Sequence, residues 1–272
     1  MFTVLMSVYA REQPVALDAA LQSLASQTVL PAEVLLVKDG PLGPELDAVI
    51  DRYMRDLPLV THPLPANVGL TRALNHGLRL VRQPWVMRFD SDDICVPHRV
   101  ESQREMALNG RLSLFGAQIF EFDVSPAQAR RSRTVPIMHS EILAKGLVRN
   151  PFNHMTVCYR RDLALSVGGY PEIPFMEDYG LWMRMLAQGI ETANSHESLV
   201  FARIGNGMLA RRGGVRYARS EWMLQRHMVA LGLKSRRRAL WDGSRRSAVF
   251  LTPVAVRSIV YEHFLRNDAL RR

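Results

Sequence analysis

The sequence has little cysteine and no long hydrophobic run. Only two of its 272 residues are cysteines, Cys95 and Cys158, and they form no Cys-x-x-Cys pair. This argues against a disulfide framework or a zinc site and favours a reducing compartment. No apolar run approaches the roughly 20 residues that a membrane-spanning helix needs. Residues 2–9 lack the basic start of a secretory signal and predict a strand instead.

The excess of positive charge is confined to the C-terminal quarter. The net charge is +9, and residues 203–272 carry 16 basic and four acidic side chains, a net of +12 that leaves −3 for residues 1–202. An acidic main region without a basic and aromatic stripe argues against a nucleic-acid binder. The basic tail suggests an anionic membrane surface as a partner, with a solvated helical cap or a homodimer surface as alternatives.

Strand-like and helix-like segments alternate in the first 95 residues. We predict strands at 3–9, 33–37, 59–62 and 85–89, and helices at 14–26, 45–55 and 70–81. This alternation predicts a Rossmann-like α/β fold with a mostly parallel sheet flanked by helices. Ligands bind such sheets beyond the carboxyl ends of the strands. We therefore expect the loops at 9–12, 39–40 and 90–92 to meet at one edge.

The pattern after residue 96 is less regular. We predict helices at 97–109, 140–147 and 161–167 and another starting near residue 177, strands at 113–122, 156–159 and 199–204, and a polar loop at 127–134. A basic loop at 211–214 leads into segments of helical pattern at 217–231, 236–241 and 253–264.

Two carboxylates follow the strand at 85–89 in an i, i+2 arrangement, Asp90-Ser91-Asp92. Mg²⁺ and Mn²⁺ prefer oxygen ligands and often take one or two carboxylates together with substrate phosphates. A bound metal ion neutralises the charge that develops on a diphosphate leaving group. The same pattern also fits a solvated turn that caps the next helix. The motif alone leaves both interpretations open.

Six segments together resemble the family 2 glycosyltransferases, which have the GT-A (nucleotide-diphospho-sugar transferase) fold. They follow that family's order and approximate spacing, at residues 4–9, 23–28, 33–40, 67–69, 88–93 and 177–182. Residues 37–42 (Val-Lys-Asp-Gly-Pro-Leu) are similar to the amylovoran-type exopolysaccharide transferases. The resemblance implies a bacterial enzyme that moves a hexose or N-acetylhexosamine, with UDP as the expected nucleotide, to a surface glycan or lipid-linked saccharide.

The resemblance also implies a division of the chain. A catalytic domain would cover residues 1–205, with a donor-binding half up to about 95 and an acceptor half at 96–205. Residues 206–272 would form a basic loop and a helical extension. The implied location is the bacterial cytoplasm, with the tail on the inner face of the membrane.

For the nucleotide, the resemblance implies a pocket at the ends of the first two strands. Asp39 would hydrogen-bond the base or the ribose, and the less favoured alternative is a turn residue before Gly40. Asn67 and Gly69 would bring the backbone close to the nucleotide or, alternatively, only start a helix. Three side chains of the first loop would line the base pocket: Tyr9, Arg11 and Glu12.

For the diphosphate and sugar, the implied centre is the paired-carboxylate motif. Asp90 would contact the ribose or sugar, Ser91 would set the geometry, and Asp92 would bind Mn²⁺ or Mg²⁺. Arg72 would reach the phosphates. Two arginines of the basic loop would close over the diphosphate: Arg211 and Arg212.

For the acceptor side, the resemblance implies Asp178 as the general base that takes the proton of the attacking hydroxyl. Its neighbour Glu177 can raise a pKa by like-charge repulsion. The alternative for both is a pair of acids favoured at a helix start. His154 would lie near the acceptor or simply pack in the interior, and Trp182 fits the core better than a sugar platform.

Two other functions compete with sugar transfer. A nucleotidyltransferase acting on sugar phosphates would also use an α/β sheet, a metal ion and a nucleotide. It would usually carry a glycine-rich loop near the N-terminus, whereas the first loop here, residues 9–14, contains no glycine. A non-enzymatic basic binding protein is the lesser alternative, suggested only by the net charge.

Overall fold

Parallel strands joined by helices form the first half of the molecule, as the sequence predicts. The computed structural model describes residues 1–108, 110–129, 131–204 and 213–252. The first elements are β1 (Phe2–Val8), α1 (Pro14–Ala25), β2 (Glu33–Lys38), α2 (Pro44–Tyr53), β3 (Leu59–Pro63), α3 (Leu70–Leu80) and β4 (Trp85–Arg88). The strands lie side by side in the order β3-β2-β1-β4, all parallel.

The second half adds mostly antiparallel pairings to the same sheet. Its elements are β5 (Ile94–Cys95), α4 (Arg99–Leu108), β6 (Leu112–Phe122), β7 (Arg131–Arg133), α5 (His139–Gly146), β8 (Cys158–Arg160), α6 (Arg161–Ser166), α7 (Glu177–Leu186), β9 (Glu191–Arg203), α8 (Gly214–Ala230) and α9 (Arg236–Phe250). The order continues as β4-β8-β6-β9-β5, and β7 pairs with β6. Only β6 and β9 are parallel here. The α/β class is confirmed, with a sheet more mixed than the early alternation predicts.

The buried core lies on both faces of the sheet because successive side chains of a strand point to opposite sides. Val4 and Met6 of β1 pack with α1 and α2, whereas Leu5 packs with α3 and α7. The second cluster extends into α8 through Leu224 and Met228. Helix α8 is therefore packed against α7, and α9 packs on α8.

Several elements of the second half differ from the sequence prediction. The segment predicted as a polar loop at 127–134 includes β7, whose exposed arginines gave no apolar signal. Strand β9 starts at Glu191 rather than near residue 199. The prediction missed the first part of the strand because its residues are mostly polar. Helix α9 runs to Phe250, and Gly243 lets it approach α8: an added Cβ would lie 2.8 Å from the ring of Trp222. The helix predicted at 253–264 lies outside the described residues.

Candidate active site

A cavity of about 600 Å³ opens beyond the carboxyl ends of β1, β2 and β4. The three loops expected to meet do so here. The predicted residues that line it are Tyr9, Arg11, Glu12, Asp39, Asn67, Gly69, Asp90, Ser91 and Asp92. A second cavity of about 430 Å³ lies at the opposite edge, around Phe2 and Trp85, and none of its described lining residues is acidic. The first cavity therefore holds the groups suited to chemistry.

Asp39 organises the loop that starts α3. Its carboxylate accepts hydrogen bonds from the backbone N–H groups of Val68 (2.7 Å) and Gly69 (3.0 Å) and from the Asn67 side chain (3.1 Å). Gly40 adopts a φ of +87°, and a Cβ there would lie 2.6 Å from the Asn67 nitrogen. The glycine permits this close approach, and the aspartate bonds the two loops together at the cavity wall.

The paired-carboxylate motif and its neighbours form what we call the acid rim: Glu12, Asp90, Asp92 and Asp93. The buried Arg88 guanidinium donates to Asp90, and the Ser91 hydroxyl donates to Glu12 (2.5 Å). Burial raises the pKa of Asp92 to about 6, and the charges of Asp90 and Glu12 add to the shift. Negative charge is thus crowded on this side of the cavity.

The far side of the acid rim is joined to the end of β9. The Asp93 carboxylate accepts from the backbone N–H of Arg203 (2.8 Å), and the Arg203 side chain donates to the carbonyl oxygen of Asp92 (3.1 Å). Burial, followed by the charge of Asp90, raises the pKa of Asp93 well above its usual range. Arg203 also lines the cavity and brings a positive charge beside the acids.

The donor set of the acid rim fits a hard divalent cation. Its ligands are carboxylate oxygens. Burial, followed by the charges of Asp90 and Glu12, raises the pKa of Asp92, and a cation would offset both effects. In the described parts of the chain, no three His, Cys, Asp or Glu side chains are grouped to hold an ion alone. The residues therefore suit a cation that takes one or two carboxylates and completes its shell with phosphate and water.

Glu177 and Asp178 lie in the first turn of α7, close enough to the acid rim for electrostatic coupling. Asp178 accepts hydrogen bonds from the Asn150 side chain and from the backbone N–H of Tyr179, both at 2.7 Å. Burial raises the pKa of Glu177 to about 7, and the charge of Asp178 contributes. Neither acid is among the residues that line the cavity, and Glu177 is linked to it through the charges of Arg88 and Asp90.

Two predicted acceptor-side residues lie in the interior. Trp182 is fully buried and packs against His154 at 6.0 Å between ring centres. Its burial fits packing, the interpretation that the sequence itself favoured, and its place on the acceptor side stays a prediction. Burial, followed by the charge of Arg88, lowers the pKa of His154, so this ring is neutral at pH 7.

Two predictions about arginines have different outcomes. Arg72 does not line the cavity, and its guanidinium donates to the exposed Glu172 (2.8 Å). A contact from Arg72 to the phosphates is therefore not part of this conformation. The two arginines of the basic loop, Arg211 and Arg212, lie outside the described residues.

Sequence reasoning missed six residues that line the cavity: Ser7, Gln13, Leu70, Arg88, Phe175 and Arg203. Arg88 stands inside the quoted motif, and its position two residues before Asp90 was the available signal. Arg203 ends an apolar strand and could have been found by the same rule that located the other loops. No sequence pattern indicated Phe175.

Solved structures share this architecture. S. aureus TarS 1–349 in complex with UDP-GlcNAc superposes with a TM-score of 0.67 at 17% identity, over 98% of this chain and 74% of that one. The mannosyltransferase PcManGT of Pyrobaculum calidifontis, in complex with GDP-Man and Mn²⁺, gives 0.64 at 14% identity, over 100% and 76%. At such identities the likeness shows the fold alone, which is that of the GT-A glycosyltransferases.

Sequence comparison then supplies the family. The model of glycosyl transferase family 2 matches residues 3–167, and the chain belongs to this family. An uncharacterized glycosyltransferase of Haemophilus influenzae is 40% identical over 98% of this chain and 99% of its own length.

Two further relatives carry more specific names. The amylovoran biosynthesis glycosyltransferase AmsE of Erwinia amylovora is 39% identical over 96% of this chain and 98% of its own length. The UDP-Gal:alpha-D-GlcNAc-diphosphoundecaprenol beta-1,3-galactosyltransferase of Escherichia coli is 35% identical over 98% and 97%. The expected glycosyltransferase activity and the similarity to exopolysaccharide enzymes are confirmed.

Proposed function

We propose that the enzyme transfers a hexose or N-acetylhexosamine from a UDP-sugar to a lipid-linked saccharide, with inversion at the transferred carbon. The observation that carries the proposal is the acid rim in a cavity of about 600 Å³. The first turn of α7, which holds Asp178, is coupled to this rim through the charge of Asp90 on Glu177. The relatives support the donor and acceptor classes: the E. coli enzyme is named for UDP-Gal and a diphosphoundecaprenol-linked GlcNAc.

The chain supplies each part of a single-displacement transfer. The loop held by Asp39 would border the nucleotide, and Arg203 would meet the negative charge of the diphosphate. Asp178 would accept the proton of the acceptor hydroxyl as its oxygen bonds to the anomeric carbon. The bond to UDP breaks on the opposite face of the sugar, so the configuration inverts. Asn150 would orient the base through its 2.7 Å hydrogen bond.

Asp92, with Asp90 beside it, would hold a Mn²⁺ or Mg²⁺ ion. The ion supplies neutralisation of the diphosphate leaving group. GT-A transferases commonly use a divalent metal, and the PcManGT structure includes Mn²⁺. The crowding of acids around Asp92 supports this assignment.

A membrane-surface location would suit a lipid-linked acceptor, and α9 has a face for it. Leu240, Trp241 and Leu251 are 62%, 67% and 56% exposed, and the exposed Arg237 and Arg245 lie on the same side of the helix. Apolar anchors among arginines bind anionic lipid interfaces. Among the described helices, none has the length and apolar character to cross a bilayer.

The membrane proposal is tested by co-sedimentation with phosphatidylglycerol vesicles. Replacing Leu240 and Trp241 by serine should reduce the bound fraction at least fivefold. The matched control is Leu108→Ser, a 73% exposed leucine on α4. Equal binding by the double variant and the wild type would refute this location.

The sugar-transfer proposal is tested with a panel of UDP- and GDP-sugars and a polyprenyl-diphosphate-linked N-acetylhexosamine. We expect Mn²⁺-dependent product from one UDP-sugar, with inverted configuration by NMR. Asp178→Asn should lower turnover by roughly 10²–10⁴-fold, the range for a general base, while leaving UDP affinity within twofold. Transfer of a nucleotidyl group, or no product from any donor, would refute the proposal.

A further inference from the structure

Phe175 lines the cavity but has no role in the proposed chemistry. Its side chain is 51% exposed, and it lines the same cavity as Asp90, Asp92 and Arg203. A large apolar side chain in a charged cavity loses favourable burial in the ligand-free protein. Such side chains in binding sites typically pack against the ligand.

The backbone at Phe175 is strained. Its φ of +66° makes it the one non-glycine residue with positive φ in the described residues. This region is uncommon for residues with a side chain, and a bulky residue there is an outlier. Such strain clusters at binding and catalytic sites, where the surroundings hold it in place. A glycine would relieve it, so the benzyl group itself must have a use at this position.

The ring is held in place from outside the cavity. It stacks on Tyr217 of α8 with 5.5 Å between ring centres and 27° between planes. Tyr217 in turn meets Phe250 of α9 edge-on, at 4.7 Å and 73°. The C-terminal helices thus support the Phe175 ring from behind and fix its orientation. A supported, half-exposed ring is a flat and rigid surface.

The chain position of Phe175 relates it to the acceptor rather than to the nucleotide. It stands directly before α7, whose first turn carries Glu177 and Asp178. The attacking hydroxyl must reach the proposed base, so the acceptor sugar has to lie beside this turn. The nucleotide end of the cavity is formed instead by Asp39 and the 67–69 loop.

We propose that Phe175 is an acceptor-binding residue on which the terminal pyranose of the acceptor packs. One face of a pyranose is covered by C–H groups and is apolar enough to lie against an aromatic ring. The hydroxyl edge of that sugar then points to Asp178. This inference rests on the proposed function and adds a subsite to it, with Tyr217 as a positioning residue.

The test measures donor and acceptor parameters separately. For Phe175→Ala we expect the KM for the lipid-linked saccharide to rise at least tenfold. The affinity for UDP and the slow hydrolysis of UDP-sugar without acceptor should stay within twofold. Phe175→Tyr keeps a ring and should restore the acceptor KM to within threefold. Val215→Ala, which shortens a 75% exposed side chain close to Tyr217 in sequence, is the matched control.

The variant Phe175→Gly distinguishes a loss of acceptor binding from a loss of stability. It relieves the positive φ, so its Tm should be no lower than that of Phe175→Ala, yet its acceptor KM should rise equally. An unchanged acceptor KM in both variants would overturn the inference, and so would a loss of UDP-sugar affinity in place of acceptor affinity. Failure of the proposed function would look different, because the wild type itself would then transfer no sugar from a UDP donor.

Discussion

Two buried groups of charged residues in this molecule differ in how their charges are balanced. In the acid rim, carboxylates crowd together, and burial with the charges of Asp90 and Glu12 raises the pKa of Asp92 to about 6. Between α8 and α9, each buried carboxylate is paired. Glu221 pairs with Arg246 at 2.8 Å, and Asp242 pairs with Lys234 at 2.9 Å.

The pKa values shift in opposite directions in the two groups: that of Asp92 is raised and that of Asp242 is lowered. Asp242 is also buried, which opposes ionisation, but hydrogen bonds from Lys234 and Arg238 lower its pKa overall. A buried cluster whose charges cancel internally contributes to folding or specificity. A cluster with excess charge of one sign at a cavity indicates a ligand of the opposite sign. The α8–α9 cluster is therefore structural, whereas the acid rim is suited to bind a cation.

Of the changes that test this comparison, removing a charge of the acid rim should have the largest effect. Asp92→Asn keeps the shape of the side chain but removes the charge, and we expect turnover with Mn²⁺ to fall by roughly 10²–10³-fold, as when other groups that stabilise transition-state charge are lost. Because the crowding is relieved, Tm at pH 7 should stay equal or rise. Asp51→Asn, an exposed acid on α2, is the control. Turnover near the wild-type value would show that the motif is only a turn.

Removing a charge from the α8–α9 cluster should instead lower the stability of the protein and leave catalysis unchanged. Glu221→Ala leaves the partly buried Arg246 without its carboxylate partner. The loss should approach the cost of breaking a fully buried pair, about 3–5 kcal/mol. Urea unfolding measures this loss, and the KM values of the folded enzyme should not change. The double variant with Arg246→Met should recover most of the stability. If the two single effects simply add, the ion pair contributes nothing of its own.

The first half of the fold could be predicted because its strands are buried and alternate regularly with amphipathic helices. The rule that parallel strands end at a ligand site then located Asp39 and Asp92 without any coordinates. In the second half, the sequence patterns that predict strands and helices are weaker. Strand β9 begins with polar residues, and its register with β6 shifts at several points.

The remaining features depend on contacts that are distant in sequence. Glu221 and Arg246 lie on different helices, so composition shows a basic tail but not which arginine is buried. Trp182 and Arg72 could not be assigned by their motif, because burial and the partner Glu172 decide their roles. The positive φ of Phe175 comes from the packing of its loop and leaves no sequence pattern.

A smaller effect should be visible in the pH dependence of stability. Burial and the charges of Asp90 and Glu12 raise the pKa of Asp92 in the folded state to about 6, against an ordinary value of 3.8. Between these two pH values the folded protein therefore binds more protons than the unfolded chain. Stability without metal should therefore rise as pH falls from 7 to 4, by about 1–3 kcal/mol at about 1.4 kcal/mol per pKa unit. Urea titrations of wild type and Asp92→Asn measure it. The wild type should gain more than the variant, and parallel curves would contradict the crowding around Asp92.

The smallest effect should come from Arg72, the arginine that the sequence assigned to the phosphates. Its partner Glu172 is as exposed as Arg72 itself, and such pairs add little to stability because water solvates both charges. Arg72→Ala should change neither Tm nor the KM for the donor measurably, whereas Arg203→Ala should raise the donor KM at least tenfold. A large donor effect at Arg72 would mean that its side chain leaves Glu172 and turns into the cavity when the nucleotide binds. The positive charge facing the diphosphate would then come from α3 as well as from β9.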